Sequence, residues 1–126
     1  MLVPILRQGD VLVASVQSDL SDGEVLALRD RLTELVGQNR ARGVIVDVSG
    51  MDVIDSFTAR SLRAVAEAAR LRGARAVVVG IRPEVAIAMV HFEVDLAPLI
   101  AALDLDEALD ILAGRAPRRP HAAHVD

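Results

Sequence analysis

Residues 43–60 read GVIVDVSGMDVIDSFTAR, and the change of character along this stretch decides the fold. Gly43-Val-Ile-Val-Asp-Val48 is an apolar run without in/out alternation, the pattern of a strand covered on both faces of a parallel sheet. Past Asp55 the apolar residues recur at helical spacing. Leu62, Val65, Ala66 and Ala69 share one face of a segment that runs to Arg72, and Gly73 ends it. A buried strand feeding an amphipathic helix is the first half of a βαβ unit, and the junction carries Asp47, Asp52, Asp55 and Ser56.

Working outward, Ala74–Gly80 (ARAVVVG) is a second buried strand that completes the unit, with the crossover expected to be right-handed. Upstream, Ser21-Asp-Gly-Glu24 has capping-box spacing and opens a helix striped by Val25, Leu28, Leu32, Leu35 and Val36, with Gly37 and Asn39 weakening its last turn. Val3–Arg7 and Val11–Val16 flank Gln8-Gly9-Asp10 as a β-hairpin. Downstream, Pro83 opens a short helix through Phe92, and a short strand is expected over Leu99–Ala101. Asp104-Leu-Asp-Glu107 then caps a last helix containing Ala108, Leu109 and Leu112. The expectation is an α/β domain over residues 1–113, a mostly parallel sheet of about five strands opened by a β-hairpin, with four helices packed against it. Residues 114–126 (GRAPRRPHAAHVD) read as a disordered Pro/Arg-rich tail.

The chain has 126 residues, enough for one core. Apolar residues make up 52% of it, yet Phe57 and Phe92 are the only aromatics, so that core is built from Val, Leu, Ile and Ala. No apolar run approaches the roughly 18–20 residues a bilayer span needs, and nothing reads as a signal peptide; a cytoplasmic protein with no membrane partner is expected. The absence of cysteine removes disulfides, thiolate nucleophiles and cysteine-ligated zinc. All fourteen basic residues are arginine, so neither a Schiff-base nor a P-loop lysine exists. Net charge is −4, with eleven arginines against seventeen acids before Gly114 and three against one beyond it. Such an acidic body argues against nucleic acid as a partner.

Catalytic readings fare poorly. A serine nucleophile needs a histidine base; His91 is the only histidine inside the expected fold, while His121 and His124 lie in the tail. Ser56 stands in Ile54-Asp55-Ser56-Phe57-Thr58, not in a Gly-x-Ser-x-Gly elbow. The aspartates lie where open α/β sheets place ligands, but a phosphate-accepting receiver domain would also need a lysine. Asp47 reads as a strand-end carboxylate bonded to loop amides, and Asp55 as a helix N-cap. Capping is favoured over a metal site, because one short loop rarely completes a coordination shell. VVVGIRPEVA has one glycine where a phosphate cradle needs several. No enzyme activity, cofactor or metal is expected, and Arg60, Arg63, Arg70 and Arg72 read as a solvated face.

Ser56 is better suited to receive a modification. With Asp55 as N-cap, Ser56 is the first helical residue, directed outward beside free amides. A phosphate there gains from those amides and from the positive end of the helix dipole. It brings about −1.5 to −2 charges at pH 7, and any interface over it would have to bury an unpaired dianion. Thr58 lies about 200° around the helix from Ser56 and is expected to be partly packed. Ser49, before Gly50, is more suited to supporting the turn.

GVIVDVSGMDVIDSFTARSL and GARAVVVGIRPEVAIAMV, in this order of elements, resemble the STAS domain family, the anti-sigma-factor antagonists and their relatives. The similarity covers nearly all of residues 2–113. VPILRQGDVLVASVQ, IDSF and GIRPEVAIAMV resemble the small stand-alone scaffold branch of the stressosome. The resemblance implies a non-enzymatic signalling scaffold that sequesters a serine/threonine switch kinase, co-assembles with larger STAS-ended sensor homologues, and forms a dimer or larger homo-oligomer. It implies Ser56 as phosphoacceptor, with Asp52, Asp55 and Thr58 as partner-binding residues. Phe57-Thr58 stands where simple antagonists carry a small residue and glycine, which disfavours the alternative of a diffusible antagonist binding an anti-sigma factor kinase. A further alternative is a small-ligand or nucleotide-binding module.

Overall fold

Val44, Ile45 and Val46 are 0% exposed, and the surrounding architecture is what covers them. The computed structural model describes residues 3–91 and 95–114. In chain order the elements are β1 (Ile5–Gln8), β2 (Val11–Ser15), α1 (Asp22–Asn39), β3 (Gly43–Asp47), α2 (Ser56–Leu71), β4 (Arg75–Val79), α3 (Pro83–His91), β5 (Ile100–Ala102) and α4 (Leu105–Leu112). They form a five-stranded sheet in the order β1-β2-β3-β4-β5. The β1–β2 pair is antiparallel and every later pair is parallel. Gly9, at φ 64°, makes the hairpin turn. The α/β fold expected from the sequence is the fold observed.

β3 lies at the centre, so alternate side chains serve two separate cores. Val44, Val46 and Val48 pack with Leu28, Leu32 and Val36 of α1, with Leu62, Val65 and Ala69 of α2, and with Val85 and Met89 of α3. Ile45 faces the other way, with Val77, Val79, Ala108 and Leu112, beneath α4. A run without alternation is therefore the signature of a strand with helices on both sides.

The helix ends follow their sequence signals. Ser21 and Glu24 form both halves of the capping box, which satisfies two amides that the first turn of α1 leaves free. The α4 cap differs in detail from the same logic. Asp104 accepts from Glu107 N at 2.9 Å, but the Glu107 carboxylate reaches past the cap to Leu103 N at 2.7 Å. β5 begins one residue later than expected. Leu99 N donates to Leu96 O at 2.8 Å in a turn, and pairing with β4 starts at Ile100. Phe92, expected to end α3, and the 115–126 part of the expected tail lie outside the described residues.

α1 closes on Arg40 in the left-handed conformation, φ 47° and ψ 45°, with its N–H donating to Val36 O. Glycine takes that conformation freely, whereas a Cβ there costs about 1–2 kcal/mol. Arg40→Gly is therefore expected to raise stability by about 1 kcal/mol, read as a higher urea midpoint at unchanged m-value. A lower midpoint would show that the guanidinium itself holds the fold.

Candidate functional site

The parallel register aligns Ser15, Asp47 and Val79 at the carboxyl ends of three adjacent strands. The loop from 48 to 55 leaves this edge under tight steric control. A Cβ on Gly50 would lie 2.4 Å from the carbonyl carbon of Gln17, and one on Gly80, at φ 80°, would lie 2.8 Å from Ser49 Cβ. Neither position has room for a side chain. Asp47 Oδ1 accepts from Ser49 N at 2.9 Å, the loop-amide role expected for it. Met51 and Ile54, 3% and 7% exposed, anchor the loop in the core.

Two residues that sequence reasoning did not single out complete the frame. Asp19 Oδ1 accepts from Asp52 N at 2.8 Å and from Val53 N at 3.4 Å, tying the loop to the segment after β2. Arg82, between β4 and α3, donates to Met51 O at 3.1 Å and pairs with the Asp52 carboxylate. That hydrogen bond, donated to the Asp52 carboxylate, raises the guanidinium pKa. Both contacts span more than 29 residues of sequence, so no local pattern announces them. Asp52, expected to meet a partner directly, is 73% exposed in its side chain and also fastens the loop.

At the head of α2, Asp55 is the N-cap, with Oδ1 accepting from Thr58 N at 2.8 Å. That hydrogen bond is the chief reason its carboxyl pKa is lowered below the usual range. Ser56 is the first residue of the helix and is exposed. Phe57 is half-buried, and its carbonyl accepts from Ser61 Oγ at 3.0 Å. Thr58, expected among the partner-binding residues and expected to be partly packed, lies on the inner side of α2. It is 7% exposed and faces the interior, so its side chain packs the domain and offers a partner almost no surface.

A groove of about 300 Å³ runs between this loop and α3. Buried Ile54, Val85 and Met89 form its floor, and Asp52, Asp55, Ser56 and Glu84 stand on its rim. Among the described residues no group of three or more His, Cys, Asp or Glu could hold a metal ion. No helix among them is long and apolar enough to cross a membrane. The arrangement offers a rigidly held hydroxyl at a helix start, beside an apolar slot with acidic edges.

A model of the STAS domain matches residues 3–108. The chain belongs to the STAS domain family. It is 27% identical over 108 residues to the RsbT co-antagonist protein RsbRA of Bacillus subtilis (strain 168), covering 86% of this chain and 39% of that protein. The chain thus spans well under half of this curated relative. Among solved structures, a serine-to-glutamate variant of RsbS from Moorella thermoacetica is 31% identical, with a TM-score of 0.76 over 89% of this chain and 95% of that one. A chain from a structure of the stressosome, described as a signal integration and transduction hub, is 32% identical. Its TM-score is 0.73 over 88% of this chain and 96% of its own. This STAS domain is therefore similar, over nearly its whole described length, to RsbS and to a chain of the stressosome.

The frame yields two expectations. Gly50→Ala forces Gln17 away and should cost about 2–3 kcal/mol in urea unfolding; an unchanged midpoint would show that the loop has slack. Because Asp55 has a folded-state pKa below its unfolded one, its ionised form stabilises the fold above about pH 4, and that contribution fades as pH falls through the folded value. Asp55→Asn keeps the cap, so it should lie within about 1 kcal/mol of wild type at pH 7. It should also show a shallower loss of stability below about pH 4; identical acid limbs would exclude Asp55 as a contributor.

Proposed function

We propose that this STAS domain is a non-enzymatic scaffold and antagonist of the stressosome type, acting in the cytoplasm. It captures a serine/threonine switch kinase over the 49–58 loop and releases it when Ser56 is phosphorylated. The observation that carries this reading is the placement of Ser56, an exposed hydroxyl at the first position of α2, directly after a formed Asp55 cap. The likeness to RsbS and to a protein named as a co-antagonist of RsbT supports it. Larger STAS-ended homologues are the proposed co-assembly partners, and the domain itself works as a dimer or higher homo-oligomer.

The physics of the switch separates its effect on the domain from its effect on a partner. A phosphate on Ser56 sits beside the unpaired amides and positive dipole end of α2, so the helix accommodates it. A bound kinase has to desolvate the same dianion next to Asp52 and Asp55, which already crowd the site with negative charge. Burial without a paired cation is costly, so the complex weakens while the fold persists.

Incubation with the switch kinase and ATP, followed by mass mapping, should find one main phosphate on Ser56, abolished in Ser56→Ala. Ser56→Asp should weaken kinase capture at least tenfold while stability stays within about 1 kcal/mol of wild type. Phosphate on another residue, or equal capture by Ser56→Asp, would overturn the reading.

A further inference from the structure

We infer that the groove beside Ser56 is a receptor for a second copy of this chain, which inserts the exposed Arg70-Leu71-Arg72 end of its α2. The groove has an apolar floor and three rim carboxylates, Asp52, Asp55 and Glu84. Arg82, which reaches this loop, is already engaged by Asp52. The site therefore favours an occupant with an apolar centre and cationic flanks, and a phosphate-bearing ligand would meet like charge at Asp55 and Glu84. About 300 Å³ is room for a side chain of leucine size with its immediate neighbours, not for an extended segment.

The chain carries that occupant on its own surface. Leu71 is 86% exposed, the highest exposure of any large apolar residue described, at a place where nothing in its own domain uses it. Arg70 and Arg72 flank it, both exposed; Arg70 makes an exposed ion pair with Glu67 at 3.4 Å, and the Arg72 guanidinium lies over Gly37 of α1. α2 has 16 residues, so knob and groove stand about 24 Å apart at opposite ends of the same helix. No copy can fill its own groove. The contact is head-to-tail, and it extends into rings or open chains. Isolated exposed leucines are common; what singles this one out is the match in size and charge to an unfilled slot.

Sedimentation equilibrium on the full chain tests this. Wild type should gain weight-average mass with concentration and lose it with added salt, since the rim contacts are screened. Leu71→Glu removes the knob and Ala88→Trp fills the groove, since Ala88 is an exposed residue of its wall. Each variant alone should be monomeric, with at least tenfold weaker association and an unchanged thermal midpoint. Mixed together they should form a one-to-one dimer, because the first keeps a groove and the second keeps a knob. Should Ala88→Trp melt early, Glu84→Arg takes its place. A wild type that is monomeric throughout, variants that associate like wild type, or a mixture that stays monomeric overturns the inference. All of these outcomes are read on the unphosphorylated chain without kinase, so their failure is distinct from failure of the kinase switch.

Discussion

Everything at the functional end of this domain depends on the close packing of the segments that follow β2, β3 and β4. Gly50 lies against Gln17, and Gly80 lies against Ser49 and Asp47, with no space for a Cβ at either place. The loop they confine carries no regular structure, yet it is fixed from below by buried Met51 and Ile54 and from the sides by Asp19 and Arg82. Loops of this kind ordinarily move. Here the frame delivers Asp55 to one place, Asp55 caps α2, and the cap sets the direction in which Ser56 leaves the helix.

The parallel topology also sorts charge. Each strand from β2 onward is followed by a helix that starts at the same pole, so the acids that cap and favour helix starts collect there: Asp22 and Glu24, Asp55, Glu84, and Asp104 with Asp106 and Glu107. Arg40, Arg70 and Arg72 mark helix ends at the opposite pole, where cations complement the dipole. One consequence is a domain with an acidic head around Ser56 and a basic foot around Leu71. Helix energetics favours that polarity, and it makes the two ends complementary.

Most of this was readable from sequence, and the failures have a common cause. Val44–Val46, the Ser21 box, the Asp55 cap and the Gly73 stop are signals contained within a few residues, and all four are present in the structure. The frame of the site was not readable, because Asp19–Asp52 and Arg82–Met51 join segments brought together only by strand register. Thr58 illustrates the limit differently. Its angular separation from Ser56 predicts partial packing, but the depth of its burial depends on how closely α2 sits on the sheet. The groove was missed for the same reason, since its two walls come from α3 and from a loop some thirty residues earlier.

If a neighbour's Leu71 occupies the groove and a kinase docks over the same loop, the two cannot bind one copy together. Head-to-tail contact would then shield Ser56 along a string of domains and leave it open only on the copy whose groove is unfilled. Capture of kinase would draw on those free ends and, by mass action, pull strings apart. A scaffold built this way needs no separate element to make kinase capacity depend on its own assembly. The coupling follows from placing a hydroxyl, an apolar slot and an acidic rim at one end of a helix, and a leucine between two arginines at the other.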